Sequence, residues 1–544
     1  MDAMMMDYPL TLKVITDRIQ RLFADVEIVT RRPDRSLRRG TWGEAMKRAH
    51  QLAEALQRAG LNKGDRVATF CWNHQQHLEA YYGAPLSGGV VHTLNLRLHA
   101  DDVAYIANHA KDRFVIVDDV LWPLFDKFRA RVPFEKIIVV SHTGKPVPEG
   151  TIDYEEFLAT ATGDFTPPAF AESDALGMCY TSGTTGQPKG VVYSHRSTVL
   201  HSFSLGIEGP GVKLGDTILA VVPMFHANAW GLPMGCGMFG AKLVLPGPFL
   251  DPPSVLDLME KERVTMAAGV PTIWLGIVET LDKDPAKYKL RPGTRMLVGG
   301  SAAPESLIRA MDRHGLTLIH AWGMTETSPL GSVAYVDPSM DDWTPDQKYA
   351  LRAKQGRPAP MVEIRAVDDA GREVPWDGKT FGELHVRGAW IASGYYNAPE
   401  TAAGGAAPRW ARDGWFMTGD VVTIDRGGMI EITDRSKDVI KSGGEWISSV
   451  ALENALMGHP AVKEAAVIAV AHPKWAERPL ACVVVKEGQQ VTPAELDAFL
   501  STKFAKFWLP EAYDFIEAVP RTSVGKFQKT ALRARYRDYA WPAK

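Results

Sequence analysis

The sequence predicts an α/β protein with a large N-terminal domain of layered sheets and helices, a β-barrel-like subdomain and a small α+β C-terminal domain. Three observations support this prediction. Short apolar runs alternate with amphipathic helical stretches up to about residue 355. Alternating, turn-rich segments follow, and a compact α+β pattern comes after the charged stretch 434–438. Strands that alternate with helices are typical of layered, largely parallel sheets.

The apolar runs are rich in β-branched residues, so we expect them to form buried parallel strands. They cover residues 66–72, 113–119, 136–141, 176–182, 216–223, 241–247 and 295–300. Helical periodicity between them is clearest at 42–59 and 253–262. Near the N-terminus, helical spacing predicts one buried helix face formed by Leu12, Ile15, Ile19 and Leu22.

The segments after residue 355 alternate apolar and polar side chains, which predicts antiparallel hairpins at 361–374, 381–390 and 420–435. The C-terminal pattern predicts helices at 448–459 and 493–504 and strands at 466–472 and 480–487. We therefore expect an N-terminal domain at 1–433 and a C-terminal domain at 438–544, joined by residues 434–437.

Composition excludes several classes of protein. The 544 residues carry 61 Lys and Arg against 64 Asp and Glu, so a polycationic nucleic-acid binder is disfavoured. A hydrophobic content of 45% argues against a disordered chain. The four cysteines form no CxxC pair, so we expect neither a zinc site nor a disulfide framework. The chain carries no targeting pattern and no apolar run long enough to span a bilayer, which predicts a cytoplasmic enzyme without an integral membrane segment.

The strongest local signal is the segment Tyr-Thr-Ser-Gly-Thr-Thr-Gly-Gln-Pro-Lys-Gly at residues 180–190. Its glycines allow tight turns that direct backbone N–H groups to one point, and its hydroxyls and lysine add donors and positive charge. This combination suits a polyphosphate, although the segment does not end in the GK[ST] of a Walker A loop. The predicted phosphate-binding residues are Thr181, Ser182, Gly183, Thr184, Thr185, Gly186 and Lys189.

This segment resembles the phosphate-loop signature of the adenylate-forming superfamily, which includes acyl-CoA synthetases, peptide-synthetase adenylation domains and luciferase-like enzymes. Further motifs occur in the expected order up to residue 526, so the resemblance to acyl-CoA ligases covers essentially the whole chain. It implies that the chain uses ATP, Mg²⁺ and coenzyme A to convert a small carboxylic acid to its thioester through an acyl-adenylate. It leaves open whether the enzyme is a homodimer.

Two motifs resemble the adenine and metal segments of the family. A carboxylate beside a phosphate loop is unfavourable unless a cation lies between them, so Glu326 is a candidate Mg²⁺ ligand. The resemblance implies that Thr181 lies near the metal and that Thr325 contacts the α-phosphate. The adenine-binding segments are implied to be Gly300, Ser301, Ala302, Ala303 and Pro304, together with His320, Ala321, Trp322 and Gly323.

Asp420 can accept hydrogen bonds from both ribose hydroxyls, and the resemblance adds Ile432 and Arg435 to the nucleotide site. The segment 223–231 follows a predicted strand, where ligands bind in α/β sheets. In fatty-acyl ligases this segment lines the acyl pocket, and its tryptophan resembles a gate. The implied pocket residues are His226, which is also a catalytic candidate, Ala227, Trp230, Gly299, Gly300, Trp322 and Gly323.

The C-terminal domain carries the remaining candidates. Lys526 matches the lysine that lies between the attacking carboxylate and the α-phosphate, where an ammonium stabilises the transition state most. Lys437 matches the hinge about which this small domain moves between the two half-reactions. The strand along which pantetheine enters is implied to contain Lys441, Gly443, Gly444, Glu445 and Trp446.

The acid itself is less constrained. The motifs most resemble medium-to-long-chain fatty-acyl ligases and their relative methylmercaptopropionate-CoA ligase, so we expect a short-to-medium aliphatic acid, with methylmercaptopropionate as the second candidate. Amino-acid-activating domains place an acidic residue where this chain has His226 and Ala227. Three competing hypotheses are a stand-alone adenylation domain, a luciferase-like oxygenase and an inactive binding homologue.

Overall fold

A computed structural model describes residues 4–181, 187–207, 209–397, 409–435, 438–442, 445–521 and 527–541, with the backbone alone for Glu445 and Trp446. The helices, numbered in chain order, are α1 (Lys13–Leu22), α2 (Trp42–Arg58), α3 (Gln75–Leu86), α4 (Ala100–Ala110), α5 (Trp122–Phe125), α6 (Tyr154–Leu158), α7 (His195–Ser204), α8 (Leu232–Phe239), α9 (Pro252–Lys261), α10 (Pro271–Lys283), α11 (Glu305–Arg313), α12 (Pro345–Ala353), α13 (Ser449–Met457), α14 (Pro493–Ser501) and α15 (Lys529–Arg535).

The first large sheet has seven strands in the order β7-β6-β5-β3-β4-β8-β9, all parallel except for the last pair. Its strands are β3 (Arg66–Phe70), β4 (Val90–Thr93), β5 (Asp112–Asp118), β6 (Lys136–Val140), β7 (Ile152–Asp153), β8 (Ala175–Tyr180) and β9 (Gly190–Ser194).

The second large sheet has nine strands in the order β16-β15-β14-β13-β12-β10-β11-β1-β2, with a parallel centre and antiparallel edges. Its strands are β1 (Glu27–Arg31), β2 (Leu37–Thr41), β10 (Thr217–Ala220), β11 (Lys242–Leu245), β12 (Met266–Gly269), β13 (Thr294–Val298), β14 (Leu316–Gly323), β15 (Leu330–Ala334) and β16 (Arg357–Pro358).

The smaller sheets follow the predicted order. An antiparallel meander contains β17 (Val362–Val367), β18 (Gly382–Gly388), β19 (Phe416–Ile424) and β20 (Ile430–Arg435). The C-terminal sheet has five strands, β21 (Ile440–Ser442), β22 (Glu445–Ile447), β23 (Val462–His472), β24 (Ala476–Val485) and β25 (Ala512–Phe515). The predicted barrel-like subdomain is therefore a four-stranded sheet.

All seven predicted parallel-type strands are present, but each ends one to three residues earlier than expected. The run 216–223, for example, leaves the sheet after Ala220. Proline and glycine directly follow β11 at Pro246-Gly247, and two glycines follow β13 at Gly299-Gly300; both pairs favour turns over sheet pairing. After Ala220, in contrast, the apolar residues Val221 and Val222 continue beyond the strand. These early ends create the loops on which the candidate site is built.

The predicted helix at the N-terminus forms, but one of its four predicted core residues is exposed. Leu12, Ile15 and Ile19 are fully buried, whereas Leu22 is 61% exposed. The helix ends at Leu22, and the next residue, Phe23, leaves the helical conformation and packs its ring against Gly240 instead. Phe23 thus takes the core position that the spacing assigned to Leu22.

One core cluster joins the two large sheets and the meander. It includes residues of α1, α2, α3 and α8, strands of the nine-stranded sheet, Leu176 of β8 and residues of β17 to β20. Within the described residues, no hydrophobic cluster contains side chains from both the body (residues before 436) and the C-terminal unit (residues from 438 onward). The described helices include none that is long and apolar enough to cross a membrane.

Candidate active site

A cavity of about 250 Å³ lies between the body and the C-terminal unit. Most of the predicted nucleotide-binding groups line it: Gly300, Ser301, Ala302, Pro304, His320, Ala321, Trp322, Gly323, Asp420, Ile432 and Arg435. Arg521 and Phe527, which flank the segment containing Lys526, line the same cavity. The structure therefore brings together motifs that are spread over more than 200 residues of sequence.

Asp420 is held in place from two directions at this cavity. The indole N–H of Trp322 donates to Asp420 Oδ2 at 2.9 Å, and Arg435 Nε lies 2.7 Å from Oδ1. Asp420 and Arg435 are register partners on β19 and β20, whereas Trp322 lies near the end of β14. Because Asp420 is only 1% exposed, this pairing compensates for burial of its charge. The protein's own side chains thus hold the carboxylate in place.

His320 and Trp322 form part of the cavity wall that the resemblance assigns to adenine. Burial lowers the pKa of His320 to about 4, so the imidazole is neutral at pH 7 and its Nδ1 donates to the carbonyl of Ala353 at 3.1 Å. The ring of Trp322 lies so close to Gly331 that a Cβ there would sit 2.3 Å from it. A flat, uncharged wall of this kind suits an aromatic base.

Two hydrogen bonds join the ends of the phosphate loop. The N–H of Thr181 donates to the carbonyl of Lys189 at 2.9 Å, and the N–H of Lys189 donates to Thr181 Oγ1 at 3.2 Å. Strands β8 and β9 lead into and out of this loop as an antiparallel pair. The other predicted loop residues, Ser182, Gly183, Thr184, Thr185 and Gly186, lie outside the described residues.

Glu326 is linked to the exit of this loop through Tyr395. It is 3% exposed, and the phenol of Tyr395 donates to its Oε1 at 2.6 Å. The ammonium of Lys189 lies 4.9 Å from the centre of the Tyr395 ring. The neighbouring Thr325 is buried, and its carbonyl accepts a hydrogen bond from the Tyr193 phenol at 2.8 Å. Sequence reasoning missed Tyr395, because 69 residues separate it from Glu326.

The segment predicted to line the acyl pocket adopts an unusual backbone. Five consecutive residues, Ala227–Gly231, have φ between 42° and 78°. Only the last is glycine, and a left-handed conformation costs other residues roughly 1–2 kcal/mol each. Asn228 helps to hold this turn, because its Oδ1 accepts from the Tyr81 phenol and the Cys179 thiol, both at 3.2 Å.

The left-handed turn directs Trp230 towards the predicted pocket. A Cβ on Gly299 would lie 3.3 Å from the Trp230 ring, so the ring lies directly against this glycine. His226 precedes the turn, and its N–H donates to the carbonyl of Pro223 at 3.1 Å. The structure therefore brings Trp230 and Gly299 together, as the pocket prediction requires.

A separate chamber of about 20 Å³ lies behind the turn. Its lining comes from the turn, from α7 and α8 and from the segment after Glu326: Tyr81, Val91, Leu176, Tyr193, Thr198, His201, Ser202, Asn228, Gly231, Pro233, Met234 and Ser328. Burial lowers the pKa of His201 to about 3, and its Nε2 accepts the N–H of Leu330 at 3.2 Å. The chamber is therefore enclosed by neutral groups.

The predicted pantetheine strand lies away from this cavity. Lys441 is exposed on β21, and its N–H donates to Glu477 Oε2 within the C-terminal sheet at 2.8 Å. Glu445 and Trp446 form β22 with backbone pairing to β21. The predicted residues Gly443, Gly444, Lys437 and Lys526 lie outside the described residues. In this structure the residues flanking Lys526, rather than Lys441, face the cavity.

A buried polar network holds the C-terminal unit against the end of β20. The N–H and the Oγ of Ser449 donate to Asp434 Oδ2 at 2.7 and 2.6 Å. The ammonium of Lys529 donates to Ser449 Oγ at 2.5 Å and lies 2.7 Å from Glu453 Oε1. Burial raises the pKa of Asp434, although the nearby Lys529 ammonium opposes this shift. The network crosses the predicted hinge.

A second polar cluster, Cys71, His74 and Asp118, lies at the carboxyl ends of β3 and β5, with its side-chain donor atoms within 4.8 Å of one another. His74 Nδ1 accepts the N–H of His77 at 3.2 Å, so Nε2 carries the proton and donates to Asp118 at 2.7 Å. Neither nitrogen of His74 then offers a lone pair to a cation. We interpret this cluster as a structural hydrogen-bond network.

Family models match most of the chain. The AMP-binding enzyme model covers residues 20–396, and the model for the C-terminal domain of AMP-binding enzymes covers 451–526. A long-chain-fatty-acid–CoA ligase of Thermus thermophilus is 47% identical over 98% of this chain and 97% of its own length. A 3-methylmercaptopropionyl-CoA ligase of Ruegeria lacuscaerulensis is 42% identical over 98% of both chains.

A solved structure agrees with this relationship. The anthranilate CoA ligase AuaEII, in complex with anthranoyl-AMP, superposes with a TM-score of 0.86 at 25% identity, covering 97% of this chain and 98% of its own. The order of the motifs, the family matches and the shared architecture lead to the same conclusion. The chain belongs to the AMP-binding enzyme family.

Proposed function

We propose that the protein is an ATP-dependent acyl-CoA ligase, which converts a carboxylic acid, ATP and coenzyme A to acyl-CoA, AMP and pyrophosphate. One observation carries the proposal. The fixed carboxylate of Asp420, the adenine-type wall at Trp322 and the residues flanking Lys526 face a single cavity. Relatives that are named as CoA ligases match the chain from end to end.

In the first half-reaction, a carboxylate oxygen of the acid bonds to the α-phosphorus of ATP. The bond from that phosphorus to the oxygen of the leaving pyrophosphate breaks. Asp420 orients the ribose, the neutral wall at His320 and Trp322 receives the base, and Lys189 contributes positive charge near the phosphates. Lys526 places an ammonium between the two reacting anions, which lowers the barrier most where their charges approach.

The residues around Glu326 fit a magnesium ion. Tyr395 occupies Oε1, and no described residue donates a hydrogen bond to Oε2. A buried carboxylate with one oxygen available, close to a phosphate loop, is the donor that Mg²⁺ takes alongside phosphate oxygens. We propose that Glu326 and Thr181 hold this ion, which supplies positive charge that stabilises the phosphate oxygens.

In the second half-reaction, the thiol sulfur of coenzyme A bonds to the acyl carbon. The bond between that carbon and the AMP oxygen breaks, and the thiol proton passes to solvent. The predicted pantetheine strand at Lys441 does not face the cavity, whereas the residues flanking Lys526 do. We propose that the C-terminal unit turns about Lys437 between the two steps.

We propose that the chamber behind the left-handed turn receives the end of a short-to-medium aliphatic acid, although none of the seven predicted pocket residues lines it. A cavity needs about 10–15 Å³ to hold one water, so a chamber of about 20 Å³ accommodates little more than one small terminal group. Methylmercaptopropionate is the second candidate, because one relative carries that activity in its name.

The test is a pyrophosphate-release assay over a panel of acids, with and without coenzyme A. The panel contains fatty acids of graded length, methylmercaptopropionate, benzoate and cinnamates. We expect the highest kcat/KM with a short-to-medium aliphatic acid and thioester formation only when coenzyme A is present. A preference for aromatic acids would overturn the aliphatic assignment. Release of pyrophosphate with acyl-adenylate as the final product, even when coenzyme A is present, would favour a stand-alone adenylation domain.

Chamber size is tested by a matched pair of substitutions in α8. Met234 lines the chamber, whereas Met238 is buried in the same helix but does not line it. We expect Met234→Ala to shift the preferred fatty acid towards longer chains, and Met238→Ala to leave the preference unchanged. Thermal unfolding of both variants controls for lost packing. Equal shifts in the two variants would contradict the role of the chamber.

A further inference from the structure

A segment that the sequence analysis did not assign connects the two charged groups of the phosphate site. We define residues 389–397, which follow β18, as the strap. Its backbone N–H at Ala392 donates to the carbonyl of Glu326 at 2.8 Å, and its N–H at Tyr396 donates to the carbonyl of Gly190 at 2.8 Å. The strap therefore contacts both the segment of Glu326 and the exit of the phosphate loop.

Tyr395, within the strap, contacts both charges directly. Its phenol donates to Glu326 Oε1 at 2.6 Å, and its ring lies 4.9 Å from the ammonium of Lys189. The ring packs edge-on against Trp410 at 4.9 Å, and the Trp410 indole donates to the carbonyl of Ala392 at 2.8 Å. These contacts fix the tyrosine ring, so its hydroxyl has a defined position.

We infer that Tyr395 is a positioning residue that holds the Glu326 carboxylate for the metal–ATP complex. A hydrogen bond to a charged acceptor is stronger than one between neutral groups. It also commits Oε1 to the protein and leaves Oε2 for the cation. Lys189 on the ring face is then kept at a set distance from the carboxylate, so it does not neutralise Glu326 by direct pairing. This inference rests on the proposed role of Glu326.

The test measures ATP binding, which requires no turnover. Isothermal titration with ATP, in the presence of Mg²⁺ and in the presence of EDTA, gives the gain in affinity that the metal supplies. We compare wild type with Tyr395→Phe, which keeps the ring but removes the hydroxyl. The other variants are Glu326→Gln, the double variant and Tyr288→Phe, a matched control that lies just beyond α10. Thermal unfolding of each variant verifies folding.

We expect Tyr395→Phe to reduce the metal-dependent gain in ATP affinity by about tenfold, because a hydrogen bond to a charged group is lost. In the Glu326→Gln background the same change should have less than about a twofold effect, since the tyrosine acts through the carboxylate. Tyr288→Phe should match wild type. An undiminished gain in Tyr395→Phe, additive effects in the double variant, or a wild type without any metal-dependent gain would each overturn the inference.

This experiment separates the inference from the proposed function. A protein that binds ATP with the expected metal dependence, yet forms no pyrophosphate with any acid of the panel, would contradict the proposed function and still support the role of Tyr395. A protein that forms acyl-CoA with unchanged metal dependence in Tyr395→Phe would support the function and contradict the inference.

Discussion

The two walls of the cavity are built in different ways. On the body wall, Asp420 is fixed by Trp322 and Arg435, all of which precede the hinge in the chain. The C-terminal unit forms the opposite wall. Among the described residues, its hydrogen bonds to the body join residues 438–449 to residues 433–435. The contacts that hold Asp420 therefore lie within the body, whereas the C-terminal unit is attached at one edge.

This difference agrees with the proposal that the C-terminal unit turns between two half-reactions at one cavity. Groups that both half-reactions need, such as the ribose acceptor, belong on the wall with several tertiary contacts. Groups that only one half-reaction needs belong on the C-terminal unit, which presents a different face to the cavity when it turns as proposed. Few directional contacts and, among the described residues, no shared hydrophobic cluster are typical of domains that move relative to each other. The following substitutions test that division, in order of decreasing expected effect.

Lys526→Ala should reduce the rate of adenylate formation most. Removing a group that stabilises charge in the transition state typically costs about a hundredfold to a thousandfold in rate. Acid-dependent exchange of pyrophosphate into ATP measures this half-reaction alone. MgATP affinity should remain within about threefold of wild type, because the body wall supplies the ribose and base contacts. A rate close to wild type would exclude Lys526 from the chemistry.

Asp420→Asn should weaken ATP binding by about tenfold to a hundredfold, since a charged acceptor for the ribose becomes neutral. The amide still offers an acceptor to the Trp322 indole, so thermal stability should change less than in Asp420→Ala. Both half-reactions should suffer, because the adenylate contains the same ribose. Titration calorimetry with ATP and with AMP measures the effect. Loss confined to one half-reaction would contradict the placement of Asp420 on the fixed wall.

Lys437→Pro should impair thioester formation more than adenylate formation, by about tenfold in the ratio of the two rates. Proline fixes φ near −65° and removes the rotation that a hinge requires. Rapid-quench measurements of the two half-reactions give the ratio. Equal losses in both steps would count against the hinge.

Ser449→Ala should have a smaller effect, of about threefold, on adenylate formation. The change removes the Oγ that links Asp434 to Lys529, but keeps the backbone hydrogen bond to Asp434. Ser501→Ala, at an exposed position of the same unit, is the matched control. We expect the control to behave as wild type in both half-reactions. If Ser449→Ala and Ser501→Ala behave identically, the network does not favour one orientation of the C-terminal unit.

The last prediction concerns pH and the free energy of unfolding, rather than a rate or an affinity. Burial lowers the pKa of His320 to about 4, below its ordinary value of about 6.5. The unfolded chain therefore takes up a proton as the pH falls from about 6.5 to 4, while the folded protein does not. This group lowers the free energy of unfolding over that window, by up to about 3 kcal/mol at its lower end. Thermal unfolding of wild type and His320→Gln from pH 7 to 5 measures this contribution to stability. The same pH dependence of the unfolding temperature in both proteins would contradict the prediction.

Much of this architecture follows from local sequence patterns. Apolar runs located seven strands of the two large sheets. The order of motifs named Asp420, Arg435 and Glu326, whose roles stay predictions. The ends of those strands were predicted too late, because an apolar run can continue beyond the last residue that pairs in the sheet, as Val221 and Val222 do after Ala220. The exposure of Leu22 depends on a tertiary contact that helical spacing does not encode, since Phe23 can replace it in the core only where Gly240 offers space.

Other features of the site depend on contacts that no local pattern encodes. The Trp322 indole reaches Asp420 across 98 residues of sequence, and Tyr395 reaches Glu326 across 69. The left-handed turn at Ala227–Gly231 contains a single glycine, so residue preferences argue against it. It persists because Asn228 and its partners Tyr81 and Cys179 stabilise it from other elements.

In the most direct test of separate roles for the two walls of the cavity, the Lys526→Ala variant receives a preformed acyl-adenylate and coenzyme A. The adenylate is made from the best acid of the panel, and thioester formation is followed at single turnover. The account predicts a rate within about threefold of wild type, because this step uses the fixed wall and the other face of the C-terminal unit. A loss in this step as large as the loss in adenylate formation, in a variant that still binds MgATP, would contradict the division of the cavity into a fixed and an exchangeable wall.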